Sequence, residues 1–493
     1  MSLAPTNSPA WTDPRLALHH DQRTRCRDFM AGTDAVQAKG ETYLPRLPRE
    51  TPTSYAVRLP LAEVMGLLSS AVRSAEGLMI AAPPALEDGT SPRLAAVWQD
   101  IDGRQTGGSV WCRGVLRSML LDGWVVAVAS APVAAGTPIN RAEEQALGLR
   151  PYVTLYRADS VRSVRTERVG AREILTQIVL EEVVTEADGA FGMTSVQQFR
   201  VLRRIARGSH ESQVFRMNDR GEAIAYGPPE LITTDELPVV EFAAEPDQPF
   251  GESPPPLSEL AHLNRAHYNV LSDRRWSLKQ ACFPWLVRVG YQDAEQATTM
   301  GPTEALDLPI GGSAQWIAPP AEAFAPTQSE LAEIERRAAS LSLSFVSGES
   351  STAATATATR IDQKGQDASL AALAVSFRDS LNRLGALLSE MLGGEVVRDT
   401  YFHVETSFRA DVRDPAFLRV MVDAWQAGGL PLDAMLTALK TGTLPDDFDV
   451  EQAALEAMAA AAADRQQAAD VAQSLGAAPA AGSGVSPQAE VPQ

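Results

Sequence analysis

The sequence predicts an α+β protein, mainly helical, with a β-rich segment set inside it. Three observations carry this. Helical apolar spacing recurs from Leu61 onward, short runs rich in Val, Ile, Tyr and Thr fill residues 150–245, and helical spacing returns after the triple proline Pro254–Pro256. At 493 residues with 45% hydrophobic content, the chain has the length of two to four domains and enough apolar side chains to build cores.

In chain order, LAEVMGLLSSAVRSAEGLM (Leu61–Met79) reads as a helix stopped by the prolines of APPALEDG. WCRGVLRSMLLDGW reads as a second helix, running into VVAVASAP, a short buried strand. PYVTLYRADSVRSVRT, ILTQIVLEEVV, VQQFRVLRRIA and ESQVFRMND then read as strands of a small antiparallel sheet or barrel.

Beyond the prolines, Leu257, Leu260, Leu263, Val270, Leu271 and Leu278 mark one long helix ending before Pro284. It carries Arg265, Arg274, Arg275 and Lys279 against Glu259 and Asp273, a net of +2 in a chain of net charge -19. WLVRVGY and AQWIAPP read as two short strands with an acidic connection, since residues 284–325 have a net charge of -4. SELAEIERRAASLSLSF reads as a shorter helix, followed by SGESSTAATATAT, a hydroxyl-rich loop. Leu370, Leu373, Phe377, Leu381, Leu384, Leu388 and Met391 then form the seam of a long amphipathic helix stopped by Gly393 and Gly394. YFHVETSF reads as a strand, further helices follow, and the Ala, Gly, Pro and Ser-rich last residues read as a mobile tail.

The chemistry is sparse. There is no GxxxxGK[ST], GxGxxG, HExxH or GxSxG pattern, so no catalytic, cofactor-binding or metal-binding residue is assigned. Cys26, Cys112 and Cys282 lack metal or redox spacing and read as buried thiols, and His262 and His267 stand five apart, on different helical faces. The acidic pairs Glu181/Glu182 and Asp446/Asp447 read as solvated surface. No membrane span and no signal peptide are expected, which points to a chain made in the cytoplasm. The negative net charge argues against wrapping DNA but suits a conduit past which a polyanion slides.

Four stretches, ETYLPRLPRETPTSYAVRL, RAEEQALGLRPYVTLYRADSVRSVR, PPPLSELAHLNRAHYNVLSDRR and TATATRIDQKGQDASLAALA, resemble in order the landmarks of a portal-like family of tailed double-stranded DNA bacteriophages. The resemblance covers about residues 40–395. It implies a ring, typically of twelve subunits, at one capsid vertex of the virion, assembled in the host cytoplasm. Residues 1–250 would be a wing (helical over 40–130, β-rich over 150–245) and 251–283 a first stem helix. Residues 284–325 would be a clip, 326–346 a second stem helix and 347–360 a tunnel loop. Residues 361–410 would be a long helix and return strand of the wing, 411–475 crown-like helices, and 476–493 a flexible tail.

The implied partners are other copies of the chain, the large terminase subunit, the head-tail adaptor, the major capsid and scaffolding proteins, and duplex DNA passing without sequence specificity. The tunnel loop would present Ser350, Ser351, Thr352, Thr355, Thr357 and Thr359 to DNA, with Arg360 and Lys364 at its edge and Glu349 within it. Arg265, Arg274, Arg275 and Lys279 would line the channel or pair with a neighbouring subunit. A head-tail adaptor, a capsid-associated protein, or an enzyme with a carboxylate site are the alternatives.

Overall fold

The computed structural model describes residues 6–132, 148–282, 285–289, 313–317, 324–343, 356–394 and 400–406. The chain divides into two units, Met1–Phe408 and Arg409–Gln493. The second unit lies outside the described residues, and with it the expected crown-like helices and tail.

The first unit is α+β. It opens with helices α1 (His20–Ala31), α2 (Thr33–Ala38), α3 (Pro52–Arg58) and α4 (Leu67–Ala81), then β1 (Ala85–Leu86), α5 (Pro92–Gln99) and α6 (Gly108–Asp122). The strands β2 (Trp124–Ser130), β3 (Tyr152–Arg157), β4 (Val161–Val169), β5 (Arg172–Asp188), β6 (Gly192–Ala206), β7 (Ser209–Met217), β8 (Ala223–Ile232) and β9 (Val239–Ala243) follow. Then come α7 (Ser258–Cys282), β10 (Trp285–Val289), β11 (Ser313–Ile317), α8 (Phe324–Leu343), α9 (Ala356–Met391) and β12 (Phe402–His403).

β2 organises the unit. It pairs antiparallel with β3 on one side and β9 on the other, so a strand that follows the whole β4–β8 segment in the chain closes the sheet. Both its faces are buried, which is why VVAVAS is a continuous apolar run. Val125, Ala127 and Ala129 face the helical core built from α1, α4, α6, α7 and α9. Trp124, Val126 and Val128 face a second core with Tyr156, Val164, Ile178, Leu180 and Leu202, where the long sheet begins. Strand alternation thus places one strand between two cores. The α6–β2 corner needs Gly123, whose φ is 87° and where a Cβ would meet the Ser253 carbonyl oxygen at 2.3 Å.

β4–β8 form an antiparallel meander, as the 150–245 pattern predicts. The α9 seam also holds: Leu370, Leu373, Phe377, Leu381, Leu384 and Leu388 are buried, and Phe377 meets Phe242 of β9 with ring centroids 5.8 Å apart.

Four expectations need correction. The helix predicted over Leu61–Met79 starts at Leu67, because Leu59–Leu61 forms a 3-10 turn and Ala62 turns extended before Gly66 at the cap. α8 begins at Phe324, ahead of the expected 326, with Pro326 in its first turn, where a missing N–H costs no helical bond. α9 begins at Ala356, so Thr357, Thr359 and Arg360 belong to its first turns and not to a loop ending at 360.

The fourth concerns Glu181 and Glu182, which are not solvated surface. Glu182 accepts from Tyr156 Oη at 2.5 Å, Arg200 Nε at 2.7 Å and Gln198 Nε2 at 2.7 Å. Burial pushes its carboxyl up, but the Arg200 guanidinium and the Tyr156 and Gln198 donors outweigh burial and hold it below the usual range. Glu181 pairs with Arg162 and Gln197.

Candidate functional site

Every candidate residue falls in the stretch between Ser258 and Met391, and those with a described place lie on α7 and α9. Pro254–Pro256 set the chain extended before α7, and Ser258 N donates to the Pro255 carbonyl at 3.1 Å, starting the helix. Leu257 just ahead of α7 and Leu260, Ala261, Asn264, Tyr268 and Ser272 on its inner face are buried, at helical spacing but with Asn264 and Ser272 as polar members.

Those polar members have partners from the N-terminal helices. Asn264 accepts from Leu68 N at 3.2 Å and donates to the Met65 carbonyl at 2.9 Å, so it caps the start of α4 from another helix. Ser272 lies 3.4 Å from an Nη1 of Arg58, which also approaches Asp273 at 3.4 Å. Arg58 is 1% exposed, forms a two-point ion pair with Glu50 and donates to the Pro45 carbonyl at 2.7 Å. α7 is therefore fastened to residues 45–68 by a buried polar network, not by apolar packing alone.

α8 packs on α7 through Leu331, Ile334 and Ala338, which are buried at spacings of three and four. Across this contact His267, 2% exposed, places Nε2 3.2 Å from Glu335 Oε1. β10 and β11 pair antiparallel, Trp285 opposite Ile317 and Val289 opposite Ser313. A strand hairpin thus stands between the two helices, with residues 290–312 and 318–323 outside the described set.

A cleft of about 400 Å³ opens between the two helices and residues 63–65, walled by Met65, His267, Leu271, Arg274, Gln328 and Glu335. Its wall holds Arg274 Nε, buried without a hydrogen-bond partner.

The four basic residues of α7 do not form one patch. Arg275 is committed within its own chain, donating to the Leu61 carbonyl at 3.0 Å and to Glu63 at 2.5 Å. Arg265 is half-buried near the Tyr43 hydroxyl, Arg274 lines the cleft, and Lys279 is exposed. The within-chain role of Arg275 has no local signal in the sequence, because Glu63 lies 212 residues away. Ser350, Ser351, Thr352 and Thr355 lie outside the described residues, while Thr357, Thr359, Arg360 and Lys364 lie on α9.

Cys26 and Cys112 are free and buried, and burial pushes the Cys26 thiol up to about 12. Among the described residues no three His, Cys, Asp or Glu side chains are placed to hold a metal ion, and no helix is long and apolar enough to cross a membrane.

A family model described as a domain of unknown function, DUF4055, matches residues 256–390, the stretch from the start of α7 to the end of α9. No curated protein matches the chain. Among solved structures the chain is similar to one from the neck of an empty gene transfer agent (GTA) particle computed with C6 symmetry. The two share 14% identity over 84% of this chain and 99% of the other, with a TM-score of 0.37. A chain of the virion of a native gene transfer agent particle gives 13% identity over 84% and 98%, with a TM-score of 0.37. One from the neck of a native particle computed with C12 symmetry gives 12% identity over 84% and 99%, again with a TM-score of 0.37.

Proposed function

We propose that this chain is a portal protein of a tailed double-stranded DNA phage: a ring, typically of twelve copies, at one vertex of the capsid. Its α7 and α8 would be the stem, β10–β11 part of the clip, and α9 the return beneath the wing. The observation that carries the reading is the order and packing of these parts, two packed helices flanking a strand hairpin and followed by one long helix docked on the sheet strand β9. The four sequence landmarks run in the same order and support it.

In this role the protein does no chemistry. DNA would be driven by a separate motor, the large terminase subunit, and a head-tail adaptor would later take the motor's place at the clip. The major capsid and scaffolding proteins would hold the ring in the shell. Ring symmetry repeats every side chain about the axis, so one exposed Lys279 per subunit becomes a belt of positive charge. Negative-stain images and a native mass of the purified full chain test this. Rings with a central hole are expected, and a monomer across salt and concentration would overturn it.

A further inference from the structure

β5 and β6 outrun their sheet. β4 pairs with β5 only up to Leu180 and β7 pairs with β6 only from Gln198, so Val183–Asp188 and Gly192–Gln197 pair with each other alone. A lone two-stranded ribbon is marginal in water, yet this one carries large apolar side chains in the open. Phe191 at the turn is 102% exposed, Met193 71% and Val183 69%. Val183, Ala187 and Met193 share one face by strand alternation and cross-strand register. The charged residues of this tip, Glu186 and Asp188, are both acidic; Glu186 is paired with Arg216 of β7, which leaves Asp188 as the acidic group at the end of the ribbon.

The other end of the same sheet has the complementary character. There a cleft of about 310 Å³ is walled by Leu175 and Leu237 and rimmed by Arg172, Arg204 and Arg207. Glu236 on the rim is engaged by Arg172 at 3.7 Å, which leaves Arg204 and Arg207 against Asp235 among the charged lining residues, a surplus of one positive charge. The tip cannot reach this cleft in its own chain: β5 runs its 17 residues from Arg172 at the cleft to Asp188 at the tip, roughly 50 Å at a strand's rise per residue.

We propose that the ribbon tip of one copy docks in the arginine-rimmed cleft of a second copy of this chain, Phe191 entering between Leu175 and Leu237 and Asp188 meeting Arg207. Because tip and cleft are different surfaces, the contact is head-to-tail, and each copy keeps a free tip and a free cleft until the set closes. The proposal deepens the ring reading and rests on it only for closure.

The test places a photo-crosslinking benzoylphenylalanine at position 191 of the full chain and irradiates a mixture of light and heavy isotope-labelled copies. Mixed-isotope crosslinks to residues 169–175, 204–210 or 235–237 are expected. Crosslinks elsewhere, or none, overturn the contact. Phe191→Ala should raise the dissociation constant about tenfold or more, as buried aromatic anchors do. Since Phe191 touches no core, that change leaves folding intact. Asp188→Arg and Arg207→Asp should each weaken association, and the double variant should restore it; a double variant no better than either single one overturns the pairing. Rings without these crosslinks sink the contact and leave the ring reading standing. Crosslinked dimers or open filaments do the reverse, and a monomer sinks both.

Discussion

Arg58 and Glu50 form a two-point ion pair beneath α7, with Nε to Oε1 at 2.8 Å and Nη2 to Oε2 at 2.9 Å, the side chains only 1% and 4% exposed. The Arg58 hydrogen bonds hold the Glu50 carboxyl below its usual range. Removing one partner of such a pair leaves a buried charge uncompensated. Arg58→Ala should therefore destabilise the first unit by about 3 to 5 kcal/mol in urea unfolding. Arg58→Lys should recover little, because an ammonium cannot make both bonds at once. Near-normal stability in the Ala variant would mean that the pair does not fasten α7.

Asn264 makes the second fastening. Its Oδ1 takes the Leu68 N–H and its Nδ2 gives to the Met65 carbonyl, and the side chain is fully buried. Asn264→Ala strands a donor and an acceptor at the start of α4, which should cost about 2 kcal/mol or more. It should also speed amide exchange in the first turn of α4 ahead of the rest of that helix. Uniform exchange along α4 would count against a capping role.

Periodicity made the large elements legible in advance. The α9 seam could be read because five leucines and a phenylalanine at spacings of three and four leave one geometry that buries them all, and VVAVAS because both of its faces are covered. What escaped was non-local. Nothing near Arg58 or Asn264 announces a partner more than 190 residues away, and the Tyr156–Glu182–Arg200 network joins β3 of one sheet to β5 and β6 of the other. The spacing predicts too long an α4 because apolar residues continue through Val64 and Met65 while the backbone turns extended at Ala62. Ser350, Ser351, Thr352 and Thr355 could be proposed from position in the order of parts, but no contact of theirs is described.

Glu241 on β9 ties stability to pH. Burial pushes its carboxyl up to about 7, despite the Gly251 N–H at 2.8 Å and the Arg383 charge. A folded value above the unfolded one means that the folded chain holds the proton longer. Stability from this group is thus full below about 4.5, falls as pH rises toward 7, and is lost above it. Glu241→Gln keeps the shape and an acceptor for Gly251 but has no charge to bury. The variant should unfold at higher temperature than the parent at pH 8, with the difference vanishing near pH 4.5. A difference independent of pH would show that the charge plays no part.

The stretch before Ala356 and the helix that follows it can be separated by deletion. If residues before Ala356 brush DNA in a channel, they act through hydroxyls worth about 1 kcal/mol each, which exchange readily with water and touch phosphates without holding them. Since α9 begins at Ala356, a deletion confined to Ser351–Thr355 leaves the helix whole, whereas one extending to Thr357 would shorten it. The shorter deletion should leave ring assembly and thermal stability unchanged and reduce the DNA retained in particles built with the variant. Replacing Arg360 and Lys364 with Gln should lower retention further at low salt and less at high salt, because screening weakens charge contacts with phosphates and spares neutral ones. Loss of the ring on deletion would make the segment structural, and full retention of DNA would remove it from the channel.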